Sequence, residues 1–221
     1  SVTAGSALSD GTYDITAKLT DPAGNESVAS SALSVEIDTS VVAPGIALAD
    51  DAGASGSDQI TRDGEVAVTL ASDVKSWDYS VDGGSNWSTG SGTSFTLSAG
   101  SYVDGNVQVR QTDVAGNLSS AGSISGAITV DETVPGVTSL TRVDVNPTNA
   151  DSLNWDVTFA EAVANVDATD FRVANTSATL SVSDQGSNTY RVTASGGNLA
   201  DLDDTVTLLF FGGHNIIDTA G

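Results

Sequence analysis

A five-residue phrase returns along this chain at intervals far longer than a turn or a solenoid unit. Asp21-Pro-Ala-Gly24-Asn25 comes back as Asp113-Val-Ala-Gly116-Asn117, and again as Asp218-Thr-Ala-Gly221. The spacings are 113 − 21 = 92 and 218 − 113 = 105 residues. A second marker keeps the same beat. Ile37-Asp38-Thr39 leads to Pro44, and Val130-Asp131-Glu132-Thr133 leads to Pro135, with 131 − 38 = 93 residues between the two aspartates. Solenoid repeats run to roughly 20–50 residues, whereas a β-sandwich domain takes about 100. The spacing therefore predicts a string of similar units, each folded about its own core. We place the boundaries at 1–38, 39–130 and 131–221, one whole unit flanked by two incomplete ones.

Within the units the apolar residues alternate with polar ones. Tyr13, Ile15, Ala17 and Leu19 do so, as do Val66, Val68 and Leu70, then Tyr102, Val107, Val109 and Leu118, then Leu153, Trp155, Val157 and Phe159. A period of two over short runs bounded by Gly, Asp, Asn and Ser is the pattern of half-buried strands. Asp82-Gly83-Gly84 after Trp77 to Val81 signals a hairpin, with Trp87 on the returning strand. Many short strands with regular turn signals predict an all-β fold of tandem antiparallel sandwiches in a linear array. Their order fits an Ig-like sandwich: strand A at 46–48, B at 65–70, C at 77–81, E at 95–97, F at 107–112 and G at 123–130. Trp77 then takes the strand C position at which such folds bury a tryptophan, and Tyr102 and Tyr13 suit corner tyrosines. Residues 1–38 supply E to G of one sandwich, and 131–221 supply A to F of another. A sandwich without strand G exposes a sheet edge and part of its core, so the ends are expected to be frayed or covered by another molecule.

Charge narrows the partners. Lys and Arg number 7 against 29 Asp and Glu, a formal net charge of −22, which excludes nucleic acid and anionic membrane surfaces as natural targets. The acid is 24 Asp against 5 Glu. Aspartate caps turns through its short side chain, and it is a favoured oxygen ligand of Ca²⁺; both uses fit the excess. With no Cys there is no disulfide to read, and the redox compartment stays open. No apolar run approaches the roughly 18 residues of a membrane span, and no signal segment opens the chain; Ser1 falls in mid-pattern, as expected of a segment cut from a longer polypeptide. Catalysis finds no foothold. The one histidine, His214, follows Phe210-Phe211-Gly212-Gly213 and reads as a strand-end residue. The carboxylates sit at turns and linkers, and no glycine-rich stretch has the lysine and helix of a phosphate loop.

Three motifs occur in order through the middle unit: Asp51-Ala-Gly53-Ala-Ser55-Gly-Ser-Asp58-Gln-Ile60-Thr61, then Trp77-Asp-Tyr79-Ser80-Val-Asp82-Gly83-Gly84-Ser-Asn-Trp87, then Val107-Gln-Val109-Arg110-Gln-Thr-Asp113-Val-Ala-Gly116-Asn117. Together they resemble the bacterial Ig-like repeats of giant, type I-secreted RTX-like adhesins. Val157-Thr-Phe159-Ala-Glu161-Ala-Val163 with Val166-Asp167-Ala-Thr-Asp170-Phe171 resembles a second repeat type of the same proteins. No Gly-Gly-x-Gly-x-Asp nonapeptides occur, so the RTX secretion tail is not this segment. The resemblance implies an extracellular, non-catalytic extender on a bacterial surface. Such a segment works beside neighbouring Ig-like repeats of its own chain, stiffens on binding Ca²⁺, and leaves adhesion to other domains.

In an Ig-like sandwich the BC and FG loops lie beside the incoming linker, and the AB and EF loops lie at the exit. Asp113 in the FG turn, Asp38 in the linker, Asp73 in the BC loop and Asp10 from the preceding EF loop are then expected to meet. A second group follows the same plan: Asp131 and Glu132 in the linker, Glu161 in the BC loop, Asp218 in the FG turn, and Asp50, Asp51 and Asp58 from the AB loop above. Turn capping is the competing role for Asp113 and Asp218, and ordinary loop chemistry for Asp50, Asp51 and Asp58, whose spacing fails the EF-hand pattern. Asp201, Asp203 and Asp204 read as a solvated loop. The alternative to a spacer is a carbohydrate-binding module. Trp77, Tyr79 and Val81 alternate with Asp78, Ser80 and Asp82 and are expected inside, which leaves Trp87 as the aromatic for a sugar ring.

Overall fold

The computed structural model describes residues 7–51 and 53–221; its regular secondary structure is almost wholly strand, with two one-turn 3-10 helices at Ala168–Asp170 and Leu199–Asp201. Among these residues no helix is long and apolar enough to cross a membrane. The chain separates into two compact units. One takes in the chain up to Ala47 with Val66–Thr96 and Tyr102–Gly126; the other takes in Leu48–Glu65, Leu97–Ser101 and Ala127–Gly221.

In the first unit, Gly11–Ile15 and Leu33–Ile37 form an antiparallel hairpin with Gly11 opposite Ile37. Tyr13 Oη donates to Ser9 O at 2.8 Å, the corner-tyrosine bond expected of the fold. The strand anticipated ahead of Ser9 lies largely outside the described residues. Further on, Gly122–Ser123, Gln108–Asp113, Val74–Ser80 and Ser88–Thr89 make a four-stranded sheet in that order, and Gly45–Leu48, Glu65–Thr69 and Ser94–Thr96 make a three-stranded one. Trp77, 4 % exposed, is tilted against Phe95 with ring centroids 6.1 Å apart, and Tyr79 stacks on the same Phe95 at 4.3 Å. Those rings join the two sheets, with Val66, Val68, Val107 and Val109 buried beside them. Trp77 Nε1 donates to Gly92 O at 3.1 Å, so the indole enters the core without an unmet donor. Gly90 lies against the indole so closely that a Cβ would stand 2.3 Å from its ring carbons.

Several expectations change. Ile15, Ala17, Leu19 and Leu118, read from their alternation as half-buried, are exposed. Val81 is 39 % exposed and Ser80 only 2 %, so the inward alternation ends at Tyr79. The cause is local: Ser80 Oγ donates to Asp82 Oδ1 at 2.8 Å and accepts from Gly84 N at 2.9 Å, and the hydroxyl turns in to hold the hairpin loop. The strand expected over 123–130 forms as two pieces instead. Gly122–Ser123 pairs with Gln108–Asp113, while Ile128–Val130 runs parallel to Ile60–Thr61. Gly126, at φ 93°, breaks the run between them, its N–H held by Asp104 Oδ1 at 2.8 Å.

In the second unit, Val137–Arg142, Ser152–Phe159, Thr189–Ser195 and Thr179–Gly186 form an antiparallel sheet in that order, and Phe171–Ala174 pairs with Thr207–Phe210. Their inner faces enclose Trp155, Val157, Phe159, Phe171, Val192, Leu208 and Ile216. Trp155, Val157 and Phe159 are buried at alternate positions, as the sequence pattern requires. Among the described residues, strand Thr207–Phe210 has a partner on one edge only. Phe210 shares the inward face with Leu208 and packs 5.0 Å from Phe171, yet stays 37 % exposed.

The repeated aspartates close their own turns. Asp21 Oδ1 accepts from the N–H groups of Ala23 and Asn25, both at 2.9 Å, and Oδ2 from Asn25 Nδ2 at 2.9 Å. Asp82 holds Asn86 in the same way, N to Oδ1 at 2.9 Å and Nδ2 to Oδ2 at 2.6 Å. Donors aimed at an ionised carboxylate favour that form. At Asp82 the Asn86 side chain, then the Asn86 amide and Ser80, pull the pKa down from 3.8 to about 2, and at Asp21 the Asn25 side chain leads a shift in the same direction.

Two outcomes follow for stability. Gly90→Val should displace the Trp77 indole and cost about 1–3 kcal/mol, read as a lower urea midpoint with an unchanged slope. The aspartate loops ionise more readily folded than unfolded, so their contribution is whole above the unfolded value of 3.8 and fades as pH falls toward about 2 at Asp82. Thermal melts at stepped pH should be level above about pH 5 and fall below about pH 4, with a shallower fall in Asn86→Ala.

Candidate metal centre

Asp113 ends strand Gln108–Asp113 and is 0 % exposed. Burial is the largest influence on its carboxyl and pushes the pKa up. Hydrogen bonds from the Asn117 side chain and from the Asn117, Gly116 and Ala115 amides together outweigh it and hold the pKa below 3.8. Gly116 N and Asn117 N reach Oδ1 at 2.7 and 2.8 Å, while Asn117 Nδ2 reaches Oδ2 at 2.8 Å. The same Nδ2 also donates to Asp38 O at 3.1 Å, tying the turn to the linker. Val114 N donates to Asp73 O at 3.0 Å, which brings in the loop ahead of strand Val74–Ser80. As a result Asp38, Asp73 and Asp113 each place a carboxylate oxygen within 4.8 Å of the others. Oxygens sharing one Ca²⁺ at roughly 2.3–2.6 Å are at most about 5 Å apart, so the spacing suits one cation. Asp113 is buried, Asp38 partly so and Asp73 exposed, a site open to solvent on one side. Asp10, the fourth member expected, accepts from Thr39 N at 3.1 Å and Thr39 Oγ1 at 2.6 Å through Oδ1, so it anchors the linker one residue beyond Asp38.

The second group lies in the second unit. Asp218 is 4 % exposed, and its Oδ1 accepts from Ala220 N and Gly221 N at 2.8 and 2.7 Å. Asp131 Oδ1 accepts from Thr133 N at 2.9 Å, the leading cause of its lowered pKa. Glu161 moves the opposite way: burial first, then the negative charges of Asp218 and Asp131, raise its pKa above 4.5. Glu161 therefore lies within electrostatic reach of the other two, but among the described residues only the Asp38 group brings three acidic oxygens within 4.8 Å. Asp131, Glu132 and Asp218 line a cleft of about 200 Å³ together with Arg62. Asp51 Oδ2 accepts from Gln59 N at 3.2 Å, whereas its buried Oδ1 meets no hydrogen-bond donor among the described residues. Asp58 Oδ1 caps Ile60 N at 3.1 Å, and Asp50 is exposed. Asp201, Asp203 and Asp204 are exposed, as a solvated loop requires.

Sequence reasoning passed over Asn117, whose amide joins turn to linker. Its signal was the Asn that closes each full copy of the phrase. It also passed over Asp170, 0 % exposed, which accepts from Asp167 N at 2.7 Å and Asn215 N at 3.3 Å; Asp167-Ala-Thr-Asp170 is a capping box legible in the sequence. Trp87 carries the Arg110 guanidinium 4.1 Å from its ring centroid, and Arg110 is paired with Asp78 at 3.3 Å. One face of the indole is therefore covered by protein.

Residues 1–39 match the family described as bacterial Ig-like domain. A comparison with curated proteins found no match. The matched stretch contains the Gly11–Ile15 and Leu33–Ile37 hairpin, the first copy of the aspartate turn, and Asp38 of the carboxylate triad.

Proposed function

We propose that this chain is a non-catalytic extender, a run of Ig-like repeats in a large extracellular bacterial adhesin, stiffened by Ca²⁺ where repeats adjoin. The convergence of Asp38, Asp73 and Asp113 carries the reading. Asp38 belongs to the linker and the other two to loops of the following sandwich. Three anionic side chains so close repel one another, and a divalent cation removes that repulsion while fixing the linker. Ca²⁺ accepts six to eight oxygens in adaptable geometry, which loops supply more readily than the strict octahedron of Mg²⁺. The bacterial Ig-like match over residues 1–39 supports the setting. The acidic balance of −22 keeps such a rod soluble and repels other polyanions. Nothing comparable favours the carbohydrate-binding alternative, since Arg110 already occupies a face of Trp87.

Small-angle scattering with Ca²⁺ and with excess chelator tests the mechanism. Chelation should shorten or bend the molecule while far-ultraviolet dichroism keeps its strand signal; superimposable scattering curves would remove the strut. Calorimetry should find an affinity of roughly 10⁻⁴–10⁻³ M. Asp73→Asn, at an exposed position, should weaken it roughly tenfold through the lost ligand charge without moving the melting temperature in chelator.

A further inference from the structure

The third copy of the aspartate turn differs from the other two in what surrounds it. Ala23 and Ala115 are exposed, whereas Ala220 is 0 % exposed. The cover comes from the loop between strands Gly45–Leu48 and Ile60–Thr61 and from Arg62, just beyond the latter. Ala54 N–H donates to Thr219 O at 3.2 Å, and Arg62 N–H donates to Ala220 O at 3.3 Å. Gly53 lies against the same two residues. A Cβ built on it would stand 2.5 Å from Thr219 O and 2.9 Å from the carbonyl carbon of Ala220. Such contacts are closed to every residue but glycine unless the main chain moves. The turn is shaped from within, because Asp218 Oδ1 takes the N–H groups of Ala220 and Gly221. That leaves the Thr219 and Ala220 carbonyls to the loop.

We propose that residues 53–62 are a receptor surface for the small-residue tip of an aspartate turn, and that this grip needs no cation. Its contacts join neutral main-chain groups, whose pairing does not depend on charge compensation. Selection is steric: Gly53 on one side and Ala220 on the other leave no room for a larger side chain at either position. Arg62 gives its amide to the grip and also lines the cleft shared by Asp131 and Asp218. In the spacer reading, one boundary between repeats is then set by ion binding at Asp38, Asp73 and Asp113, and the next by direct contact. That contrast rests on the calcium reading above; the grip itself does not.

Amide hydrogen exchange on the full chain separates the two. In the wild type, the Ala54 and Arg62 amides should exchange equally slowly in excess Ca²⁺ and in chelator. Gly53→Val and Ala220→Val should each speed both amides roughly tenfold or more, while the core amides of Val157 and Val192 keep their protection. Gly53→Ala is the milder companion should the valine disturb the core. Acceleration of Ala54 and Arg62 by chelator alone in the wild type would overturn the proposal, as would unchanged protection in both Gly53→Ala and Ala220→Val. A scattering envelope indifferent to chelator, with these amides behaving as stated, would dismiss the calcium strut and leave the grip standing.

Discussion

An aspartate carboxylate sits one methylene from its own backbone, close enough to accept the N–H groups two to four residues onward and too short to reach much else. The molecule uses this short reach at Asp21, Asp82, Asp113 and Asp218. Each time it closes a turn and leaves a fixed negative charge in it. Asparagine completes the arrangement in three of the four, its amide filling the second carboxylate oxygen while its main chain fills the first. Charge and turn therefore come from one local interaction, and the rest of the architecture is strung between its copies.

Turn capping and cation binding are often set against each other as explanations of acidic loops. At Asp113 the bonds that close the turn and the nearness of two further carboxylates coexist. Oδ1 takes two main-chain donors and Oδ2 one side-chain donor, which orients the carboxylate and stabilises its ionised form despite complete burial. The second oxygen keeps acceptor capacity. Asp21 and Asp82 have nearly the same local bonds, yet among the described residues neither has two further carboxylates beside it. The local motif prepares a ligand; the arrival of Asp38 and Asp73 makes a candidate centre. Asn117 links the two, since one amide nitrogen serves both Asp113 and the linker carbonyl of Asp38.

Glycine marks where main chains or rings come closest. Gly90 lets the strand lie flat on the Trp77 indole, and Gly53 lets a loop meet the Asp218 turn. Neither stands out in the sequence among 23 glycines. At both positions the reason for glycine is contact with residues far along the chain rather than a positive φ.

Periodicity made the strands legible. Alternation at Val66 and Val68, and at Trp155, Val157 and Phe159, reports which face is apolar, and the buried face is the one the pattern names. It failed at Ile15, Ala17, Leu19 and Leu118, which are exposed, at Ser80, whose hydroxyl turned inward because a loop needed it, and over 123–130, where Gly126 divided one expected strand into two. Of the candidate ligands, the sequence identified the aspartates and their grouping near linkers, because turn chemistry repeats in plain sight. Which oxygens meet was another matter. Asp10 found Thr39, while Asp38, Asp73 and Asp113 found one another. By itself the sequence determined what short-range chemistry can determine: an all-β chain, its turns, its alternating faces and its acid. The tertiary structure alone decided which carboxylates converge and which turn is gripped. Those outcomes depend on distances between segments tens of residues apart, set by strand pairing and core packing.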